Sequence, residues 1–93
     1  MTEWEFAQTD PAQQLAQVSY FSVIKQDPDG EVEFLITVKQ YATPQDAAMR
    51  FCALADQPIN RKSAPFIPCG WGSALLDALS ECVRSVNRFP TNG

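Results

Sequence analysis

The chain contains no histidine among its 93 residues. Ser-His-Asp and Cys-His catalysis, histidine-based acid–base chemistry and nearly all zinc sites use an imidazole group. These chemistries are therefore excluded within one chain. We expect a protein that is not an enzyme and that holds no metal and no cofactor.

Cysteine is scarce, with three residues at Cys52, Cys69 and Cys82. Their spacings of 17 and 13 residues match no C-x-x-C element. We favour free, buried thiols, and a disulfide between two of the three is the alternative. Free thiols fit the reducing cytoplasm, which is the compartment we expect.

Long apolar runs and a basic leader are also missing. No stretch approaches the ~18 apolar residues of a membrane span. The chain begins M-T-E-W-E-F, which has acidic residues and no basic region. We therefore expect neither a membrane segment nor a secretory signal.

The composition is that of a globular protein, with 45% hydrophobic and 19% charged residues, and the length suits a single domain, residues 1–93. The net charge of −4 is unevenly distributed. Residues 1–46 hold eight acids and two bases, whereas residues 47–93 hold three acids and five bases. This asymmetry favours a charged partner or head-to-tail self-association, unless folding mixes the two halves.

A β-hairpin is the strongest local signal in the chain. Residues 18–26 and 31–41 are rich in β-branched and aromatic side chains, and D-P-D-G lies between them. Pro28 presets its φ angle for a type I turn, and Gly30 accepts the left-handed conformation that closes a bulged hairpin. In the second strand Val32, Phe34, Ile36 and Val38 alternate with more polar residues, so one face is expected to be buried.

Two helices are predicted to cover that hairpin. T-P-Q-D opens the first, over residues 44–56, because its apolar residues recur at helical spacing. Ser73 is the expected cap of the second, over residues 73–88, whose apolar stripe includes Leu75, Leu76, Leu79 and Val83. The predicted fold is an α+β two-layer sandwich.

The remaining segments are predicted to be short elements. E-W-E-F-A, at residues 3–7, alternates as a half-buried strand does, and Asp10-Pro11 starts a helical turn. Residues 57–68 hold three prolines and are expected to form a loop, with at most a short edge strand at Ala64–Ile67.

The stretch P-F-I-P-C-G-W-G-S leads into the last predicted helix and raises the possibility of a reactive cysteine. Helix N-terminal amide groups lower a thiol pKa. However, the chain has no histidine base, and no second cysteine lies near Cys69 in sequence. We favour a rigid turn, with Trp71 folded over the sheet.

Two groups of acidic residues can each be interpreted either as a functional site or as ordinary surface carboxylates. D-P-D-G-E at the hairpin tip resembles part of a calcium loop but lacks the EF-hand spacing, so we favour solvated turn acids. Asp77 and Glu81 lie one helical turn apart, and we favour complementation of the helix dipole over acid–base chemistry.

Four basic residues of the second half form a candidate binding patch for nucleic acid or phosphate: Arg61, Lys62, Arg84 and Arg88. Phosphate neutralisation supplies much of nucleic-acid affinity, and this chain is acidic overall. Nucleic-acid binding is therefore the alternative function and not the leading one.

Two resemblances bear on that alternative. The hairpin followed by G-W-G-S-A-L-L-D-A-L-S-E, residues 70–81, resembles the end of HicB-type antitoxins, which are small β-β-β-α proteins. The layout also resembles that of a double-stranded RNA-binding domain, α-β-β-β-α, which implies RNA binding. The lysine pair of that family would fall near Ala74 and Leu75, where this chain has none.

The leading hypothesis is a small regulatory domain that acts by protein–protein contact or homo-oligomerisation. The predicted strand from Val18 to Ile24 is apolar on both faces, and such a strand requires cover on both sides. Trp4 and Phe6 of the N-terminal segment could supply the second cover, and a partner or second copy is the other option. The candidate interface residues are Tyr20, Phe21, Val23 and Trp71.

Overall fold

The computed structural model describes residues 3–93. Met1 and Thr2 lie outside the described residues. They belong to the N-terminal stretch for which the sequence predicted no secretory signal. The strands form one antiparallel sheet in the order β1-β2-β3-β4, and a single α-helix follows them within the described part. The α+β class is confirmed.

The elements are 3-10 turns at Glu3–Ala7 and Ala47–Met49, β1 Ala16–Asp27, β2 Gly30–Tyr41, β3 Phe51–Ala55, β4 Cys69–Gly72 and α1 Leu75–Arg88.

The predicted hairpin is present as β1 and β2. Asp27 pairs with Gly30 across the turn, and Ala16 pairs with Tyr41 at the far end. Gly30 has a φ of 121°, a conformation that side-chain-bearing residues rarely adopt. The turn chemistry of D-P-D-G therefore fixes the register of the longest strand pair in the sheet.

The predicted helix over residues 44–56 is wrong. Only Ala47–Met49 forms a 3-10 turn, and Phe51–Ala55 forms β3, which pairs with both β2 and β4. Asp46 begins the turn by accepting a hydrogen bond from the Ala48 amide at 2.9 Å. The apolar residues of this segment have helical spacing, but backbone pairing with strands on both sides of β3 outweighs that local preference.

Three shorter predictions also need correction. Glu3–Ala7 is a 3-10 turn and not a strand, and turns without a regular helix follow Asp10. The possible edge strand at Ala64–Ile67 is reduced to one bridge between Ile59 and Phe66. By contrast β4, which the sequence placed in a turn, is a strand because its backbone pairs with β3.

The core lies between the sheet and α1. Its buried residues come from β2, β3, α1 and the loop after β3: Phe34, Ile36, Val38, Ala53, Ala55, Ile59, Ala78, Cys82 and Val86. Val32, Leu79 and Val83 are partly buried against them, as the sequence predicted. The apolar stripe of α1 is narrower than predicted, because Leu76 is 73% exposed.

Helix α1 lies directly against the backbone of β4. A Cβ atom added at Gly70 would lie 2.3 Å from the Ala78 carbonyl oxygen, and one at Gly72 would lie 2.5 Å from the Asp77 Cβ. Both distances are far shorter than a van der Waals contact. The two glycines therefore permit the close approach of helix and sheet.

The helix begins without the expected serine cap, because Ala74 occupies the cap position and no side chain bonds there. Its C-terminus is tied to β1 instead. The Lys25 ammonium donates to the Val86 carbonyl at 2.7 Å and to the Phe89 carbonyl, which places a cation at the negative end of the helix dipole. Lys25 also lies 3.5 Å from Asp27.

Asp27 extends this attachment to the C-terminal segment. Its carboxylate accepts the Thr91 amide at 2.9 Å. Hydrogen bonds from Thr91 and the charge of Lys25 hold the pKa of Asp27 below its usual value, against the effect of burial. The position of α1 on the sheet is therefore fixed by Gly70 and Gly72 against its first half and by Lys25 at its C-terminal end, and Asp27 holds the segment that follows.

None of the helices in residues 3–93 has the length and apolar character needed to cross a bilayer.

Candidate interaction surface

The sheet has a second face, opposite α1, that no described helix covers. Residues that pair directly on neighbouring strands point to the same side of a sheet, and successive residues alternate. Because Phe34, Ala53 and Gly70 face the helix, the alternate positions face away from it. We call this side the open face; it comprises Ala16, Val18, Tyr20, Ser22, Ile24, Gln26, Glu31, Glu33, Leu35, Thr37, Lys39, Tyr41, Cys52, Leu54, Cys69 and Trp71.

The open face carries large apolar side chains that are exposed. One row crosses all four strands, from Tyr20 through Thr37 and Leu54 to Cys69. Tyr20 is 71% exposed, and the other large exposed apolar residues on this face are Val18, Ile24, Leu35, Leu54 and Trp71. An antiparallel sheet with one solvated face usually presents polar residues there. A group of large exposed apolar side chains on one face is typical of an interaction site.

Two aromatic rings shape one end of the open face. Tyr41 and Trp71 stack with their centroids 6.4 Å apart and their planes 14° apart. A groove of about 240 Å³ beside them is lined by Thr37, Lys39, Tyr41, Cys52, Leu54 and Trp71. Small-molecule sites are typically about 300–1,000 Å³. The groove is therefore better matched to one or two side chains of a protein partner than to a whole ligand.

Charge on the open face is sparse and is concentrated on β2. Lys39, Glu33 and Glu31 are all exposed; Ser22 donates a hydrogen bond to the Glu33 carboxylate at 2.7 Å, and the Gln26 amide donates one to Glu31 at 2.9 Å. Six or more residues of strand, about 20 Å, separate Lys39 from either carboxylate, so the lysine cannot pair with them within one chain. Lys25–Asp27, on the other face, is the only ion pair in residues 3–93.

The structure divides the predicted interface residues between the two faces. Tyr20 and Trp71 lie on the open face. Phe21 and Val23 point to the helix side, where they pack against the core. Two open-face residues absent from the prediction are Leu35, which the alternation of β2 already placed opposite Phe34, and Leu54, whose segment had been assigned to a helix.

The N-terminal segment does not cover the open face. Gln8 ties it to the far end of the hairpin, since its amide donates to the Thr43 hydroxyl at 2.9 Å and accepts the Leu15 amide at 3.0 Å. Phe6 is 72% exposed. The aromatic cover that Trp4 and Phe6 could have supplied to Tyr20 is therefore not formed.

The predicted basic patch is brought to one end of the molecule but is interrupted by acids. Asn60 and Arg61 donate backbone hydrogen bonds to Pro90 and Thr91, at 3.0 Å each. The turn that carries Arg61 and Lys62 thus lies beside the chain that follows the last helical residue, Arg88, while Arg84 is exposed one helical turn earlier.

Carboxylates share this end of the molecule. Asn92 donates a hydrogen bond to Asp29 at 3.5 Å, and Thr91 donates one to Asp27. Two carboxylates of the acidic first half therefore lie at the end of the molecule that carries Arg61 and Lys62.

All three cysteines are free thiols, in three different environments. Cys82 lies on the buried side of α1, its sulfur is 3.5 Å from the Pro68 carbonyl oxygen, and burial raises the pKa of its thiol to about 11. Burial also raises the pKa of the Cys52 thiol. Cys69 is exposed on β4 and Cys52 is half-buried, so the expectation of buried thiols is confirmed only for Cys82. Across residues 3–93, no three His, Cys, Asp or Glu side chains are grouped as a metal site would require.

Comparison with known proteins gives no match, whether to a family model, to a curated protein or to a solved structure. The two resemblances noted in the sequence therefore rest on the quoted residues alone. The antitoxin resemblance implies three strands before the helix, whereas the structure has four in its described part.

Proposed function

We propose that this chain is a non-enzymatic interaction domain, acting by protein–protein contact in the cytoplasm, and that the open face is its binding surface. One observation carries the proposal: exposed Tyr20 and Leu54 lie on either side of Thr37 in one row across the sheet, with no covering element in residues 3–93. The groove beside Trp71 adds a recess for a partner side chain.

The energetics favour a protein partner. Complete burial of a Leu, Ile or Val side chain contributes about 1.5–3 kcal/mol of favourable free energy. A residue that is half-exposed in the free chain can still gain roughly half of that amount when a partner covers it. Aromatic residues dominate interface energetics and are enriched among hot spots. Tyr20 and Trp71 are therefore the residues expected to contribute most.

The alternative, nucleic-acid binding through Arg61, Lys62, Arg84 and Arg88, has less support. Nucleic-acid affinity depends on a concentrated positive surface. Asp27 and Asp29 are hydrogen-bonded to the same C-terminal segment that lies beside Arg61, so the local field is mixed. The geometry of the described residues does not favour nucleic-acid binding over protein–protein contact.

The test compares apolar-to-acidic changes on the open face and on α1. Tyr20→Asp combined with Leu54→Asp disrupts the open face, while Leu76→Asp alters an apolar residue of α1 that is as exposed as Tyr20. We expect the tagged wild-type chain and Leu76→Asp to retain the same bound protein, or the same self-association. The open-face variant is expected to lose it.

Circular dichroism and thermal unfolding of each variant establish that the fold is kept. The proposal is overturned when the open-face variant binds as well as the wild type. It is equally overturned when Leu76→Asp abolishes binding to the same degree.

A further inference from the structure

We propose that the free edge of β1 is a dimerisation surface, to which β1 of a second copy adds antiparallel so that the two sheets become one. This surface is the edge of the sheet and not its open face, so the inference goes beyond the proposed function and does not depend on it. In the strand order β1-β2-β3-β4, β1 has a neighbour on one side only. The strand has 12 residues and is about 40 Å long.

Hydrogen bonds at the end of the hairpin show which backbone groups of β1 point outward. The Ala42 amide donates to the Leu15 carbonyl at 2.9 Å, so Leu15 and every second residue after it bond to the β2 side. The residues between them direct their amides and carbonyls away from β2. These outward-pointing residues are Ala16, Val18, Tyr20, Ser22, Ile24 and Gln26. Their backbone groups form no hydrogen bond with other parts of residues 3–93.

The edge lacks the features that commonly keep such a strand from pairing. Proline, charged side chains and bulges protect the edge strands of many proteins. Residues 16–24 contain no proline and no charged residue, and β1 pairs with β2 without a bulge along its whole length. Lys25 points to the helix side, where it donates to the Val86 carbonyl. The edge is therefore open to a further strand.

A second copy of β1 satisfies this edge in a single register. With a two-fold axis at Phe21, each residue of β1 lies opposite the residue equally far on the other side of Phe21. Ala16 then lies opposite the partner's Gln26, and every outward-pointing residue meets another outward-pointing residue. Such a pair exchanges two hydrogen bonds. The outward amides and carbonyls of both copies are therefore all paired.

The side chains are compatible in the same register. On one side of the joined sheet Val18 lies opposite the partner's Ile24. Tyr20 lies opposite the partner's Ser22, whose small side chain leaves room for the ring. On the helix side the two copies of Phe21, which is only partly buried in one chain, meet at the axis. Aromatic and β-branched cross-strand pairs stabilise a sheet.

The other edge of the sheet cannot replace the second β1. β4 has four residues, and the Ala55 amide donates to the Pro68 carbonyl, so only Cys69 and Trp71 point outward there. Pairing of β1 with β4 would leave most of β1 unsatisfied and would continue from molecule to molecule, because it joins two different edges. Pairing of β1 with itself uses the whole strand and closes as a dimer. This match in length selects a second copy.

A proline at an outward-pointing amide tests the edge. The Ser22 amide does not pair with β2, and in the dimer it donates to the partner's Tyr20. Ser22→Pro removes this amide, and edge strands tolerate proline. Ser22→Ala is the matched control, because it loses the same side-chain hydrogen bond to Glu33 and keeps the amide. Sedimentation velocity over a series of micromolar concentrations gives the dissociation constant of each dimer.

We expect the wild type and Ser22→Ala to form dimers whose affinities agree within about threefold. Ser22→Pro should weaken the dimer by about tenfold or more, because each copy loses a hydrogen bond and the proline ring lies against the partner strand. Circular dichroism at low concentration should show the same fold for all three chains. A monomeric wild type overturns the inference, and so does a dimer that Ser22→Pro leaves unchanged.

A cysteine at the axis tests the register. In a background of Cys52→Ala and Cys69→Ala, Phe21→Cys places two thiols opposite each other, where the Cα atoms of the strands are about 4.5 Å apart and a disulfide can form. Gln17→Cys in the same background is the control, since it faces the partner's Lys25. Oxidation with diamide should give a covalent dimer with the first variant only. Equal cross-linking of both, or of neither, overturns the register.

A change on β3 separates the edge from the open face. Leu54 lies on the open face and away from β1, so Leu54→Asp should leave the edge dimer intact. A dimer that survives Ser22→Pro and is lost on Leu54→Asp uses the open face, which overturns this inference and supports the proposed function. A monomeric wild type that loses another bound protein on Ser22→Pro overturns the second copy as the occupant of the edge.

Discussion

The two faces of the sheet are built from alternate residues of the same strands and have opposite fates. Phe34 is fully buried, whereas Leu35, its neighbour in the chain, is 47% exposed. On the helix side, Ala53 and Gly70 are small enough for α1 to approach closely. On the open face, Leu54 and Trp71 are larger and remain exposed. The comparison shows that side-chain size alone does not decide burial here; the availability of a covering element does.

One helix is too small to cover both faces. Its 14 residues span about 21 Å, whereas the 12 residues of β2 span about 40 Å. Helix α1 contacts β4, β3 and β2 on one side only. The free energy of folding therefore comes mainly from that side, and the open face can be altered with little loss of stability.

The largest expected effect is at neighbouring residues of β2. Phe34→Ala should lower the free energy of unfolding by about 3–5 kcal/mol, because it leaves a cavity in the core. Leu35→Ala should cost less than about 1 kcal/mol, since much of its side chain is already in water. Urea unfolding at low protein concentration measures both. Equal losses would contradict the assignment of the two faces.

A smaller effect is expected where helix and sheet touch. Gly70→Ala should destabilise the fold by about 3 kcal/mol, because its Cβ would collide with the Ala78 carbonyl and the helix would have to shift. Cys69→Ala changes the preceding residue, which points to the open face, and should cost less than about 0.5 kcal/mol. Similar melting temperatures for the two variants would show that α1 does not lie against β4.

The smallest effect concerns the thiols and their pH dependence. Thiolates are the reactive form, so exposed Cys69 should be alkylated first, Cys52 more slowly, and Cys82 only on unfolding. The pKa of Cys82 is about 11 in the fold and near its ordinary 9.0 when unfolded. The folded state therefore binds this proton more tightly. The stability that the folded state gains from the protonated Cys82 thiol is fully present below pH 9 and is lost as the pH rises from about 9 to 11.

That loss should amount to roughly 2–3 kcal/mol in the free energy of unfolding. Cys82→Ala is the matched control, because it lacks the thiol and should show a shallower decline over the same range. An identical decline in the wild type and in Cys82→Ala would contradict the assignment. Rapid alkylation of Cys82 in the native protein would do so as well.

Local chemistry was sufficient to predict the hairpin and the last helix. Pro28 and Gly30 specify a turn whose conformation few other residues adopt, and the alternation after Gly30 specifies the register. The terminal helix was recognised because its apolar residues recur over four turns and Pro90 ends it. These signals are contained in short stretches of chain.

The segment from Phe51 to Ala55 could not be assigned in this way. F-C-A-L-A is compatible with a helix and with a strand, and only its pairing with β2 and β4 decides between them. The same pairing brings Leu54 beside Thr37 and so completes the apolar row of the open face. The candidate surface was half predicted, through Tyr20 and Trp71, because the other half depends on strands that are distant in sequence.

The amino-acid sequence determined the bend at Gly30, the two-residue alternation of β2 and the amphipathic character of the terminal helix, because each is a matter of neighbouring residues and their torsion angles. Tertiary structure decided which side of the sheet α1 covers, since that requires Gly70 and Ala78 to meet across the fold. Once one side is occupied, no described segment remains for the other. The exposure of Tyr20 and Leu54 follows from that contact, and no local sequence rule contains it.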